Sequence, residues 1–401
     1  VTLVPFSSSY LKRDSLLPFA LHDAGGRLLL SAGLKVDTQA QLETLLAQPL
    51  FVDEAETANW KRRVQAAMDL KMRQGATLGE VAAAVPEPEA KETAPRAALP
   101  MVEQWDMLIG QLDGVLRDIR PDNDWLARLL AVRERARGLL ARRADASLYC
   151  LVHGAGHSVA KYSSSHAMLT MAICQLSGPL LDWPAEQIDS LTLAALTMNV
   201  SMLRLQDQLA LAMTKPTPAD RVVIDRHAEN SAQSLQACGL RDKACIEVVR
   251  MHHQPGPVDQ PMAALDPQQQ MARLLHRIDV FAAKISCRAS RQAMSPVQAA
   301  REAFLGAQGT PDEVGGALLR AVGLYPPGSF VELVSGEVGI VLARGRRSNL
   351  PVVAALVSTS GEVMMEPLLR DSIERRHTVK SALRPGAVRV RPPHEKLLTM
   401  R

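Results

Sequence analysis

Aromatic side chains are scarce in this chain: Phe, Trp and Tyr together make up 3% of its 401 residues, although 47% are hydrophobic. A core with few large rings must be assembled from Leu, Val, Ala and Met, which favours helices over sheets. Basic residues are not interleaved with rings either, so the stacking platforms that hold single-stranded nucleic acid are missing. A net charge of +4 is too mild to argue for nucleic acid as a partner. No apolar run is long enough to span a membrane. The segment VTLVPFSSSYLKRD has neither the basic start nor the long apolar centre of a secretory signal. The five cysteines, Cys150, Cys174, Cys238, Cys245 and Cys287, show no C-x-x-C spacing. Reduced thiols in a cytoplasmic protein are therefore expected, not a disulfide frame.

The length exceeds what one core usually serves, so more than one domain is expected. Residues 1–75 read as a small α+β module. LPFALHDAGGRLLLSAGLKV suggests two short strands around a Gly25-Gly26 turn, with Gly33 closing the second. DTQAQLETLLAQ suggests a helix capped by Asp37 or Thr38. The Pro-, Ala- and Glu-rich residues 76–100 read as a linker. Residues 101–324 are patterned as helix nearly throughout. In WLARLLAVRERARGLLARR the side chains of Arg128, Arg135 and Arg142 share one helix face, a solvated one. Residues 325–401 change character: GSFVELVSGEVGIVLARG and PVVAALVSTSGEVMMEP alternate apolar and polar residues around Gly turns, which predicts a small β appendage. The tail RPGAVRVRPPHEKLLTMR has no clear pattern. The expected fold class is mainly α, with a small N-terminal α+β domain and a small C-terminal β appendage.

Histidines gather in the helical region. His166 lies in YSSSHAMLTMAICQL, a helix opening after a serine cap. His227 lies in VVIDRHAENSAQSL. His252 and His253 are adjacent in VVRMHHQPG, at a helix end cut off by Pro255. In LLHRIDVFAAKIS, Leu275, Ile278, Ala282 and Ile285 mark a buried stripe and Asp279 lies beside it, a place that costs an acid free energy unless it is paired or metal-bound. Imidazole and carboxylate are ligand types of Zn, Mn and non-haem Fe, and side chains from several helices can converge inside a bundle. Each histidine alone is more often a hydrogen-bonded structural residue than a ligand. His153, His157 and His276 fit no further pattern and read as structural. Between His166 and His227, the stretch AALTMNVSM reads as the centre of a buried helix with Asn199 in its middle, where an amide needs partners.

The order of these segments resembles the HD superfamily of metal phosphohydrolases, and more closely its HD-GYP branch, whose active members hydrolyse cyclic di-GMP. AALTMNVSM stands where that family writes A-A-hydrophobic-x-H-D-hydrophobic-G-K. KPTPADRVVIDRHAENS resembles K-P-G-x-L-T-x-x-E followed by H-P-x-x-G. VVRMHHQPG resembles the H-H-E segment, and RIDVFAAKISCRASRQAMSPVQA the segment D-x-F-x-A-x-x-x-x-R-x-Y-R. LYPPGSFVELVSGEVGIVLARG is similar to the strand-rich end of such domains. The resemblance covers roughly residues 145–370. It implies an HD-type helical bundle, residual metal ligands at His166, His227, His252, His253 and Asp279, and a phosphate contact at Lys215.

The pattern also breaks. Met198 and Asn199 replace the His-Asp pair that names the superfamily, Met202 stands at the lysine position, and HHQPGPVDQPM carries no G-Y-P. An amide lacks the charge of a metal-bridging carboxylate, and a thioether is a poor ligand for hard divalent ions. Asn199 is then expected to be the remnant of a bridging aspartate, hydrogen-bonded to His166 or Asp279; the alternative is an ordinary buried Asn bonded to a backbone carbonyl. Two function classes follow. The first is a catalytically inactive or strongly impaired HD-GYP-like signalling module that binds a cyclic dinucleotide or a partner such as a GGDEF-type protein. The second is a metal-dependent phosphodiesterase with a reduced site, holding Mn, Fe or Zn at lowered affinity. Nucleic acid and a membrane span are not expected. The N-terminal module lacks the paired arginine and Asp-x-Ser-x-x-Gly of cyclic di-GMP receptors of the PilZ type.

Overall fold

The structure, a computed structural model, describes residues 99–254, 260–306 and 309–400, and within the first 98 residues 3–6, 11, 19–26, 28–30, 36 and 38–54 with isolated positions as far as 79. Gly33, Asp37, Pro255 and most of the expected linker lie outside the described residues. The chain divides into two compact units, Val1–Ala98 and Leu99–Arg401.

In the first unit, β1 (Leu3–Phe6), β2 (Leu21–His22), β3 (Leu28–Leu30) and β4 (Leu50–Asp53) form an antiparallel sheet in the order β1-β4-β2-β3, accompanied by α1 (Gln39–Leu46). Gly26 takes a positive φ of 81° in the turn between β2 and β3, the conformation for which a glycine is suited. Phe19, Leu21, Leu30, Val36, Leu45, Leu50 and Val52 are buried together. This unit runs to Ala98, past residue 75, where the sequence reading places the end of the α+β module.

The second unit is mainly α. It contains α2 (Met101–Leu116), α3 (Trp125–Arg142), α4 (Ala144–His157), α5 (Tyr162–Ser177), α6 (Ala185–Thr197), α7 (Leu203–Leu211), α8 (Pro218–Ala237), α9 (Lys243–Met251), α10 (Pro267–Ile285), α11 (Pro296–Ala303) and α12 (Glu313–Val322). After them come β5 (Phe330–Leu333), β6 (Val338–Ala343), β7 (Val352–Val357), β8 (Val363–Asp371), β9 (Val379–Ala382) and α13 (His394–Thr399). The antiparallel sheet has the order β8-β7-β6-β5-β9. Helix starts follow local chemistry: Thr217 with Asp220 and Asp266 with Gln269 form capping boxes on α8 and α10, each with Pro in the first turn. No helix among the described residues is long and apolar enough to cross a membrane.

Helix α5 is the pillar of this unit. Met168 to Cys174 are buried without interruption, as expected of a helix apolar all round, and α4, α6, α10 and α12 pack around it. Met, Leu, Ala and Ile fill that centre in place of rings. The serine cap expected before His166 is not the cap. Lys161 holds the N-cap position, and Ser163 and Ser164 lie inside the helix. The Ser163 amide donates to Asp207 Oδ1 at 2.8 Å, so an acid on α7 satisfies the helix start.

Two other expectations change. AALTMNVSM is not one helix. Helix α6 ends at Thr197, Asn199 takes φ −108° and ψ 12°, and Val200–Met202 make a single 3₁₀ turn before α7. A short polar side chain competes for the backbone, and the bridge region suits such a break. The division at residue 324 has no counterpart in the compact units. Phe330, Ile340, Leu342, Ala354 and Leu356 of the sheet share one core with the helices, and so do Leu397 and Leu398 of the tail. The arginine face of α3 is not merely solvated: Arg128 pairs with Asp118 and Asp124, and Arg135 donates to Gln111.

Sheet and helices meet closely at Gly328, which has φ +89°, and a Cβ there would run into the Tyr149 carbonyl and the His153 amide of α4. Gly328→Ala is therefore expected to cost at least about 2 kcal/mol. Thermal melts followed by far-UV and near-UV circular dichroism should show the loss in one shared transition. A variant that melts with the wild type, or whose sheet melts separately from the helices, would contradict the shared core.

Candidate metal centre

Four helices deliver the sequence-predicted side chains. His166 comes from the second turn of α5 and is buried. Its Nε2 lies 2.7 Å from Asp279 Oδ1 on α10. His227 comes from the middle of α8, buried, while His252 and His253 follow the end of α9, the first buried and the second at the surface. One ligand atom from each of His227, His252 and His253 lies within 4.8 Å of the others. Asp279 is close enough for its charge to act on all three rings.

The hydrogen bonds fix how these rings are protonated. His227 Nδ1 lies 2.5 Å from the Ile224 carbonyl and His252 Nδ1 lies 2.7 Å from the Val249 carbonyl. A carbonyl only accepts, so each ring carries its proton on Nδ1 and a lone pair on Nε2. Those two Nε2 atoms face each other at 3.2 Å, and His253 Nε2 is also 3.2 Å from His227 Nε2. His253 can donate to only one of two facing lone pairs. A cation would satisfy the other, and an imidazole whose second nitrogen donates to a carbonyl is the usual form of a metal-bound histidine. Burial pushes His252 down to about 3 and holds His227 and His253 below the ordinary histidine range. All three are neutral near pH 7, as ligation requires. The donor set fits a divalent ion of the borderline, nitrogen-binding kind.

Burial works to raise the Asp279 carboxyl, but the hydrogen bond from His166 and the nearby imidazoles outweigh it and hold it well below the usual carboxylate range. Asp279 is thus an ionised acid beside neutral imidazoles. His166 Nδ1 is buried without a hydrogen-bond partner among the described residues.

The degenerate positions sit differently from the expectation. Met198 and Asn199 are both buried, but among the described residues the Asn199 side chain bonds neither His166 nor Asp279. His166 has turned directly onto Asp279 instead. The turn that carries Asn199 is tied to the site by Ser201. Its hydroxyl donates to the His227 carbonyl at 2.9 Å and meets Ser231 Oγ at 2.9 Å. Met202 is half-buried in the same turn, and Lys215 is exposed on the loop before α8, with no hydrogen bond or ion pair among the described residues.

Some participants escaped the sequence reading. His276 hydrogen-bonds the His252 carbonyl at 2.9 Å through Nδ1 and flanks the His253 ring. The Tyr162 ring stacks near His166, and its hydroxyl accepts from Arg288 Nη2 at 2.8 Å, which brings a guanidinium to the site's edge. The spacing of Tyr162 and His166, one helical turn apart, was the available signal.

No family model matches the chain. Over 208 residues it is 26% identical to a cyclic di-GMP phosphodiesterase of Pseudomonas aeruginosa, 51% of this chain and 50% of that protein. Over that stretch the chain is similar to this phosphodiesterase. It spans about half the length of this curated relative. A solved HD-GYP-type protein of Bdellovibrio bacteriovorus is similar with a TM-score of 0.40 and 14% identity, over 79% of this chain and 98% of that one.

If the chain holds a cation at the three imidazoles, zinc or manganese at about 100 times its dissociation constant should stabilise the fold by about 2.7 kcal/mol. Calorimetric melts with and without metal measure this, and His227→Ala should abolish the metal-dependent part. Identical melts of the wild-type protein in both conditions would show that the imidazoles are not a metal cage.

Proposed function

We propose that this chain is a signalling module of the HD-GYP kind that has kept a reduced metal site and lost efficient turnover, and that it binds a cyclic dinucleotide rather than hydrolysing it. One observation carries the reading. The imidazole group of His227, His252 and His253 has its Nε2 atoms converging, while the place of the His-Asp pair is filled by buried Met198 and Asn199.

In this reading His227, His252 and His253 hold the ion. Asp279 supplies the negative charge, steadied by His166. A bound divalent ion offers positive charge to a phosphoryl oxygen and acidifies water. Asn199 adds no charge to offset that ion, and Met198 offers only a soft sulfur. The site is left with one carboxylate where a bridged site would have two. Arg288, held on Tyr162, offers a cation to an anionic ligand near the same helix. The similarity to a cyclic di-GMP phosphodiesterase supports the choice of ligand class. The competing reading, a working phosphodiesterase on a reduced site, is supported by the ionised Asp279 and the neutral imidazoles.

Purified protein is expected to bind cyclic di-GMP in a metal-strengthened manner by calorimetry, with negligible release of linear product even with Mn or Fe added. Met198→His with Asn199→Asp should tighten Mn binding by about tenfold or more. In metal-free buffer the same variant should be less stable than wild type, because it buries an acid without a partner. Steady metal-dependent turnover by the wild-type protein, lost in His227→Ala, would establish the enzyme reading instead. Absence of both metal and nucleotide binding would leave a purely structural helical module.

A further inference from the structure

A second polar cluster lies away from the three imidazoles. Helices α2, α4 and the start of α5 enclose a cavity of about 460 Å³, and His394 of α13 forms part of its wall. The size suits a small organic molecule. Its apolar wall includes Val102, Ile109, Leu151 and Ala155. Rings line it as well: Trp105, Tyr149, His153 and His394. Tyr149 Oη hydrogen-bonds His394 Nδ1 at 2.9 Å, and the His153 and His394 rings lie 4.8 Å apart.

Two buried polar atoms in this wall have no partner among the described residues. Trp105 is 1% exposed, and its Nε1 has no hydrogen-bond partner among the described residues. His153 bonds the Gly328 backbone with one nitrogen, while its buried Nδ1 has none. The first is a donor, and the second, on a ring that burial keeps neutral, is an acceptor. Buried polar atoms are rarely left unpaired, and a ligand that reached both would satisfy them.

Charge is present in both signs. Lys161 reaches over Gly110, where an added Cβ would come within 3.1 Å of its Nζ, and its backbone is left-handed at φ 50°, a conformation that L residues seldom adopt. Asp106 lies near enough to Cys150 to help burial hold that thiol up at about 12. Lys161 and Asp106 both line the cavity, and neither makes an ion pair among the described residues. A cation and an anion held apart over an aromatic and apolar wall complement a zwitterion. A phosphate would bring up to two negative charges against one ammonium, with Asp106 beside it.

We propose that this cavity is a binding site for a free aromatic amino acid, its carboxylate on Lys161 and Trp105 Nε1–H, its ammonium on Asp106, and its ring against Tyr149, His153 and His394. The site is distinct from the three imidazoles, although α5 contributes Ser165 to the cavity and His166 to the metal centre.

Isothermal calorimetry on the full chain tests this with L-tryptophan, L-tyrosine and L-phenylalanine as probes. Tryptamine, indole-3-acetate and guanosine monophosphate serve as comparators. At least one of the amino acids should bind one to one with a dissociation constant below about 1 mM. Taking L-tryptophan as the case, tryptamine and indole-3-acetate, each lacking one charge, should bind at least tenfold more weakly. Trp105→Phe and Lys161→Met should each weaken the amino acid at least tenfold. Trp105→Phe keeps a ring at this buried position, so it should retain the far-UV circular dichroism and the cooperative melt of the wild type, which separates lost binding from lost folding. No binding of any of the three amino acids, binding unaffected by both substitutions, or preferential binding of guanosine monophosphate would overturn the assignment. Metal and cyclic di-GMP binding are read separately and do not depend on this outcome.

Discussion

The short hydrogen bond between His166 and Asp279 sets the terms for everything around it. It joins α5, buried on nearly every side, to α10, the helix that also carries His276 beneath the His252 backbone. An acid in such a place is tolerated only because the imidazole donates to it and the other rings face it. Once Asp279 is ionised there, the interior has a fixed negative point. The neutral imidazoles of His227, His252 and His253 then complete a nitrogen-rich, singly charged environment. That balance suits a cation and does not suit a second buried acid without one. A carboxylate in place of the Asn199 amide would add a second buried charge, which only a bound cation would offset.

Much of the site was legible because its members fall on helices with recognisable starts. Capping boxes at Thr217 and Asp266 mark α8 and α10, and the apolar stripe Leu275, Ile278, Ala282 and Ile285 locates Asp279 beside the core. The adjacency of His252 and His253 forces different directions on the two rings, one buried and one at the surface. Less legible was what depends on contacts distant in sequence. The start of α5 is satisfied by Asp207, 44 residues away, and no local pattern announces that. A serine run read locally as a cap is drawn inside the helix, where Ser163 and Ser164 bond to Leu203 and Asp113.

Asn199 shows the same limit from the other side. Read along the chain, a single Asn among apolar residues looks like an intrusion in a continuous helix. In the fold it marks the end of that helix. The turn behind it is secured by Ser201 on the backbone of His227. The polar residue therefore helps define where the backbone changes direction, and the tie between this turn and α8 persists without a metal-bridging acid. The direction of the backbone at this turn and the charge carried at position 199 are therefore set by different groups.

The scarcity of rings also acquires a meaning it did not have in the composition. With so few aromatic residues available, their positions are informative. Phe281 and Phe304 pack together at 4.8 Å between α10 and its neighbour α11, an ordinary core use. Tyr162 sits between Arg288 and His166. Trp105, Tyr149 and Phe330 surround the His153 and His157 pair, together with His394 from the tail. Two histidines that looked merely structural, and a tail that looked featureless, therefore meet where the scaffold has concentrated its rings. A core made of Leu, Ala and Met can be packed from nonspecific volume. Rings with unpaired polar atoms cannot be accounted for that way, because each buried N–H or lone pair costs free energy unless something meets it. The aliphatic interior explains why the bundle holds together, and the few rings mark the two places where its chemistry is concentrated.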